Sequence, residues 1–393
     1  MEITVRQGDT LHYYSQLFDI PLPLIEDANQ RSQVFAEETV YIPGYQSIPY
    51  IIQSDDSFQT IATNRNIPVD RIALLNQTSI DNSLTVGHSI CLPKKVTELI
   101  VTDLNDYTYE KMQQDLHKIA KLYPFITLQS IGSSVMGKDL IEVQIGNGSK
   151  QVHLNGSFHG TEWITTSVIL KFINEYAISL TNQLPMQAIA TLPLYQAARL
   201  SIVPMVNPDG VNLVIKGSAS AAKYEANVLD INHNQDDFSN WKANIRGVDL
   251  NKQFPACWNV EANRKPTSPQ PRDFPGYMAL TEPEAIAMAN LAKQRHFMRL
   301  LALHTQGEEI YWGFEGFEPA ISQKIVNEYA QVSGYQPVRY LDSFAGYKDW
   351  FIQEFQRPGF TLELGLGVNP LPFEQYPIIY QKTRGILLAS LYL

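Results

Sequence analysis

Along the N-terminal residues, short apolar stretches give way twice to apolar positions at helical spacing, and the two passages run in parallel. Residues 3–30 read ITVRQGDTLHYYSQLFDIPLPLIEDANQ and residues 50–77 read YIIQSDDSFQTIATNRNIPVDRIALLNQ. In this register Asp9 falls on Asp56, Leu11 on Phe58, Ile20-Pro21 on Ile67-Pro68, and Asn29-Gln30 on Asn76-Gln77. Each passage predicts the same order of elements. A β run (Ile3 to Val5; Tyr50 to Ile52) leads into an acidic, hydroxyl-bearing turn, where Asp9 or Thr10, and Asp56 or Ser57, can accept from the unpaired N–H groups of a helix start. The helix carries Leu11, Tyr14 and Leu17 in one copy and Phe58, Ile61 and Ala62 in the other. Ile-Pro then breaks the chain, a second helix ends at Asn29 or Asn76, and a last strand closes on Ile42-Pro43 or Leu92-Pro93. The result is a β-α-α-β module of about 45 residues, near the smallest size that sustains a core without staples.

Pro93-Lys94-Lys95 forms a brief polar joint, and from Leu99 the texture changes to alternating strands and helices. Tyr109 to Leu122 reads as a helix and Leu140 to Ile145 as a strand. Such alternation over about 290 residues predicts an α/β domain whose mixed sheet is flanked by helices. The expected domains are residues 1–46, 47–96 and 97–393. Stretches rich in Asn, Pro and Ser near residues 216–240 and 255–275 read as loops inserted on this scaffold.

Composition narrows the partners. Thirty Lys and Arg against forty Asp and Glu give a net charge of −10, which disfavours nucleic acid and anionic membranes. Two cysteines, Cys91 and Cys257, lie far apart, so neither a disulfide framework nor a thiolate zinc site is written here. The first residues lack the basic start and apolar run of a secretory signal, and no window approaches the ~18 apolar residues of a membrane span. A product located in the cytoplasm, or leaving it by an unusual route, is the expectation.

Four apolar strands end on residues able to do chemistry. Val152 to Asn155 runs into Gly156-Ser157-Phe158-His159-Gly160-Thr161-Glu162, Leu200 to Val206 into Asn207-Pro208-Asp209-Gly210, Leu300 to Leu303 into His304, and Phe360 to Leu362 into Glu363. In open α/β sheets the ligand crevice lies beyond the carboxyl ends of the strands. His159 and Glu162 sit where a strand hands over to a helix with apolar residues Ile164, Val168, Phe172 and Tyr176, and can converge on one cation with His304. Three protein ligands with an open fourth position is a catalytic zinc arrangement. Asp249, in Gly247-Val248-Asp249-Leu250-Asn251, can fix a ligand imidazole from behind. His153 points away from this end of its strand, and His12, His88, His117, His233 and His296 have no supporting motif.

The two N-terminal repeats resemble LysM modules, on the Gly-Asp-Thr-Leu turn, the Ile-Pro break, the Asn helix end and the closing Ile-Pro. That resemblance implies binding to the N-acetylglucosamine-containing glycans of peptidoglycan or chitin. The first copy keeps closer to the pattern, since Ser54-Asp55-Asp56-Ser57 replaces the glycine-bearing turn in the second. Residues 105–393 resemble the zinc carboxypeptidase family, whose H-x-x-E-W-I-T motif matches His159 to Thr165. The Asn207 and Gly247 signatures, His304, Thr361-Leu362-Glu363 and the Asp349-Trp350 pair match in order.

The resemblance implies one Zn²⁺ per chain on His159, Glu162 and His304, with Glu363 as general base. An arginine upstream of the Val-Asp-x-Asn signature serves the oxyanion in that family. Here Arg246 is preferred for its permanent charge, with Lys242 as the alternative if the loop aligns by Trp241. Protein-cleaving members clamp the terminal carboxylate with Asn-Arg, whereas here Asn251 is followed by Lys252, which carries charge without a bidentate fork. Cleavage of interior bonds is the expectation that follows. Tyr340 falls near the family's mobile tyrosine, and Lys348 at its side-chain specificity position, where a cation favours an anionic group such as the distal carboxylate of diaminopimelate. The combination resembles bacterial γ-D-glutamyl-L-diamino acid endopeptidases, which cut the bond from γ-D-Glu to meso-diaminopimelate or lysine in peptidoglycan stem peptides. An ordinary metallocarboxypeptidase, an inactive wall-binding protein and a chitin-directed protein are the alternatives. A wall enzyme without a signal would act on fragments inside the cell, or be released at sporulation or lysis.

Overall fold

The doubled β-α-α-β pattern is realised in the computed structural model, which describes residues 1–393. In the first copy the elements are β1 (Glu2–Thr4), α1 (Leu11–Phe18), α2 (Leu22–Asn29) and β2 (Thr39–Tyr41). In the second they are β3 (Tyr45–Ile51), α3 (Phe58–Arg65), α4 (Val69–Leu75) and β4 (Ser89–Lys95). β1 pairs antiparallel with β2, and β3 with β4. The Thr10 hydroxyl caps α1 by accepting from the Tyr13 N–H. Ser57 caps α3 within a reciprocal box with Thr60. Gly8 has φ +87, a conformation that suits glycine, whereas the second copy makes its turn without one because Asp56 accepts from the Gln53 N–H. The paired asparagines do the same work twice. Asn29 bonds Ile25 O and both backbone groups of Tyr41; Asn76 bonds Ile72 O and both backbone groups of Cys91.

The copies are also fastened to each other. Arg6 forks onto Asp70 at 2.6 and 2.8 Å, and Arg71 donates to Leu17 O while its guanidinium lies over Phe18 and Tyr45. Residues 1–100, 117–127 and 173–193 make up one compact unit, and residues 101–116, 128–172 and 194–393 a second.

The remaining elements, in chain order, are α5 (Tyr109–Leu122), β5 (Thr127–Ser133), β6 (Asp139–Ile145), β7 (Lys150–Asn155), α6 (Ile164–Asn182), α7 (Thr191–Ala197), β8 (Ala198–Val203), α8 (Pro208–Lys216), α9 (Glu225–Ile231), α10 (Trp258–Ala262) and α11 (Pro283–Arg295). Then follow β9 (Arg299–His304), β10 (Glu309–Tyr311), α12 (Ile321–Ser333), β11 (Gln336–Val338), α13 (Tyr347–Phe355), β12 (Gly359–Glu363) and α14 (Tyr376–Tyr392). The sheet has eight strands in the order β11-β10-β12-β9-β7-β8-β6-β5. β12, β9, β7 and β8 are contiguous and parallel, while β6 and β10 run antiparallel to their neighbours β8 and β12. The four parallel strands are the four whose ends carry the candidate residues, so the mixed sheet brings those ends side by side. Burial on both faces shows most clearly in β9, whose Leu300 to Leu303 are continuously apolar and buried.

Two expectations change. The strand expected to reach Val206 stops at Val203, because Pro204 has no N–H to continue the ladder. The segment at 216–240 is partly helical, with a 3₁₀ stretch from Ser218 and then α9. Ala221 and Val228 pack with Phe238, Trp241, Ala243 and Ile245, so this segment props the 241–246 loop.

Candidate active site

The local chain path explains the ligand motif. His159 leaves β7 in an extended conformation and precedes a single 3₁₀ turn, Gly160–Glu162, which folds the Glu162 carboxylate back toward it. A Cβ at Gly160 would lie 2.7 Å from Gly210 O and 2.8 Å from Trp241 O, so only glycine fits between the strand ends. His304 is the last residue of β9 and Glu363 the last of β12, and strand register sets them opposite each other.

Three side chains converge. His159 Nδ1 lies 2.8 Å from Glu162 Oε1, His304 Nδ1 2.9 Å from Glu162 Oε2, and the two Nδ1 atoms 3.3 Å apart. All three residues are buried, and their ligand atoms lie within 4.8 Å of one another. His159 Nε2 faces Asp249 Oδ1 at 3.2 Å, which leaves Nδ1 for the shared point. His304 Nε2 and Asp249 Oδ2 are buried without a hydrogen-bond partner. Two imidazole nitrogens and one carboxylate, focused on one point and backed by a second carboxylate, fit a zinc ion.

Electrostatics agree with that focus. Burial disfavours a charged His159, but Glu162 and Asp249 outweigh it and raise the imidazole to about 9. Burial lowers His304. Glu162 and Asp249 are held below the usual carboxylate range against their burial, by the facing histidines and, for Asp249, by Lys242. Glu363 is pushed up by burial and by the Glu162 carboxylate.

A cavity of about 220 Å³ opens onto these groups and is lined by Lys242, Asn251, Lys252, Tyr340, Lys348 and Glu363, among others. Lys242 Nζ stands 3.9 Å from Asp249 Oδ2. Arg246, preferred from the sequence for the oxyanion, is not among the lining residues; its guanidinium is half-exposed, 3.4 Å from Glu282. The reason is local: the Asn244 side chain accepts from the N–H groups of Arg246 and Val248 and curls the loop, so residues 242 and 246 leave it in different directions.

Lys252 donates to Glu261 Oε1 at 2.5 Å, to Ser343 Oγ at 2.5 Å and to Phe344 O at 3.2 Å. An ammonium has three N–H donors, so all of them are engaged within the protein. Asn251 Oδ1 accepts from the Tyr347 N–H. Lys348 is anchored on Gly313 O and Asp349, and the Tyr340 hydroxyl donates to Glu318. Sequence reasoning missed Tyr311, which lines the cavity from the short strand β10, and Asn369, whose amide reaches Glu162. It also assigned no role to Asn207, which bonds Phe158 O and Ala243 O and so joins the His159 and Lys242 loops. Neither Tyr311 nor Asn369 belongs to a motif that marks it.

Comparison with known proteins meets this geometry. The family model described as zinc carboxypeptidase matches residues 112–383, and that described as LysM domain matches residues 50–93. The chain is 48% identical over 396 residues to gamma-D-glutamyl-L-diamino acid endopeptidase 1 of Lysinibacillus sphaericus, with 100% of each covered. It is 47% identical over 290 residues to the uncharacterized protein YqgT of Bacillus subtilis (strain 168), across 73% of this chain and 77% of that one. Bovine thrombin-activatable fibrinolysis inhibitor shares the fold, at a TM-score of 0.57 and 17% identity over 72% of this chain and 95% of that one. The chain belongs to the zinc carboxypeptidase family and carries a LysM domain beside its metallopeptidase domain. Family membership implies zinc, and no helix is long and apolar enough to cross a membrane.

Proposed function

We propose that this protein is a peptidoglycan peptidase, with one zinc ion per chain, that hydrolyses the bond from γ-D-glutamate to meso-diaminopimelate or lysine in stem peptides. Residues 1–46 and 47–96 act as two wall-binding modules that recognise N-acetylglucosamine-containing glycan, and residues 97–393 form the catalytic domain. The shared β-α-α-β order and the duplicated Asn29 and Asn76 hydrogen bonds support reading both copies as LysM modules. Tethering to the wall raises the local concentration of substrate. The full-length likeness to an enzyme named for γ-D-glutamyl-L-diamino acid cleavage supports the substrate.

His159, Glu162 and His304 would hold the zinc, with Asp249 orienting His159. Bound there, zinc supplies Lewis acidity and brings the ionisation of water toward about pH 7. Glu363 takes the proton of the attacking water and returns it to the leaving amine. Its placement opposite His304 supports that assignment. Lys242, rather than Arg246, donates to the developing oxyanion, because it is the one of the two that lines the cavity. Lys348 attracts the anionic end of the leaving residue, and Asn251 and Tyr340 contact the substrate from the walls.

Lys252 carries the endopeptidase part of this reading. With its three donors bound to Glu261, Ser343 and Phe344, it has none free to clamp a terminal carboxylate. A strict carboxypeptidase would leave that carboxylate unpaired in its own cavity. The test is a pair of stem peptides, one extended past the diamino acid and one ending there. Cleavage of both at the γ-D-glutamyl bond is expected; release of the C-terminal residue alone, from ordinary peptides as well, would overturn the proposal.

A further inference from the structure

Asn369 lies on the loop that follows β12, six places beyond Glu363, and no motif marks it. Its Nδ2 donates to Thr305 O at 3.1 Å and reaches Glu162 Oε1 at 3.4 Å, while its Oδ1 accepts from the Thr305 hydroxyl at 2.7 Å. A primary amide has two N–H donors. One is therefore spent on the residue next to His304, and the other points at the carboxylate that bridges His159 and His304. The two loops are joined beneath it, since Leu364 N donates to His304 O at 2.9 Å and Gly307 N to Gly365 O at 2.8 Å.

We infer that Asn369, locked by Thr305, is a positioning residue that fixes the Glu162 carboxylate for metal binding. This inference rests on the zinc site assigned above. The chemistry favours an amide in this place. A neutral N–H restrains the carboxylate against rotation without neutralising its charge, whereas a lysine or arginine would compete with the cation for it. The reciprocal pair with Thr305 holds the amide in one orientation, so its donor cannot swing away. The same side chain thus ties Glu162 to the end of β9 that bears His304 and to the loop leaving Glu363.

The test is zinc affinity of the full-length protein, measured by competition with a chromophoric chelator, alongside the melting temperature of the zinc-free protein. Asn369→Ala is expected to raise the zinc Kd by about 10–100-fold, the range found for outer hydrogen-bond partners of metal ligands, with the zinc-free melt unchanged. Thr305→Val should give a smaller rise, because Asn369 keeps its bond to the Thr305 carbonyl, and Thr305→Ser should restore wild-type affinity. The visible spectrum of the Co²⁺-loaded protein should shift in Asn369→Ala and not in Thr305→Ser. Wild-type affinity in Asn369→Ala, or a zinc-free melt that falls in step with affinity, would overturn the inference while leaving the zinc site standing. A wild-type protein that binds no zinc would overturn both.

Discussion

Polar side chains behave differently at the paired asparagines of the N-terminal repeats and in the cavity. In the repeats, Asn29 and Asn76 each make hydrogen bonds with both backbone groups of a strand residue and with a helix carbonyl. Their capacity is spent on the fold. In the cavity, His304 Nε2 and Asp249 Oδ2 are buried without a hydrogen-bond partner, and two imidazole nitrogens face each other at 3.3 Å. Leaving such a group unsatisfied costs about 1–3 kcal/mol. The lysines show the same division at closer range. Lys252 is fully bonded inside the protein, whereas Lys242 stands over the ligand cluster, 3.9 Å from its nearest carboxylate.

A large effect is expected at the first of these lysine positions along the chain. Lys242→Met should lower kcat by about 10²–10³, the usual loss for one oxyanion donor. Arg246→Met should stay within a few-fold of wild type, since its guanidinium reaches Glu282 at the surface. Steady-state kinetics on a stem peptide decides, and the reverse ranking would restore Arg246 to the oxyanion role.

Next comes stability of the repeats. Asn76→Ala removes hydrogen bonds at Cys91 and Ile72 and should cost about 1–3 kcal/mol, with Asn29→Ala similar. Neither should change kcat on a soluble stem peptide. Denaturant unfolding monitored beside activity checks both, and a fall in kcat without a loss of stability would blur the contrast.

A pH-dependent effect probes an unsatisfied group outside the cavity. Glu284 Oε1 accepts from the Val135 N–H, but Oε2 has no partner, and burial raises its carboxyl to about 8. The folded protein therefore keeps this proton over a range where the unfolded chain, at about 4.3, has released it. Its contribution is fully present below the unfolded value and lost as pH rises to about 8. Glu284→Gln should gain stability relative to wild type between pH 5 and pH 8.5, in paired denaturation curves. A difference that does not change with pH would show that Glu284 is already ionised at the lower pH.

Much of this was legible in the sequence, for physical reasons that differ by residue. The repeats were visible because Asn29 and Asn76 perform identical local bonding, which fixes their spacing from Ile-Pro. The strand ends at His304 and Glu363 were visible because strands buried on both faces read as mostly apolar runs, broken in β12 by Thr361, that stop at a titratable residue. Arg246 was expected at the cavity and does not line it, because the curl imposed by Asn244 is set by contacts that periodicity does not encode. Lys252 was read as a cation, but its partners Ser343 and Phe344 come from a distant segment. Asn369 carried no signal, since its meaning lies in its contacts with Thr305 and Glu162 across the fold. The strands β10 and β11, three residues each, are too brief to show alternation.

Zinc-dependent cleavage at the focused ligands, with Glu363 as base, is open to a direct test. Purified stem peptides should be digested with native protein, with chelated protein, with chelated protein given Zn²⁺, and with zinc-loaded Glu363→Gln, and the products assigned by mass spectrometry. Cleavage at the γ-D-glutamyl bond should disappear on chelation, return with Zn²⁺, and fall by about 10²–10⁴ in Glu363→Gln although zinc still binds. Undiminished cleavage after chelation, or full activity in Glu363→Gln, would contradict the account.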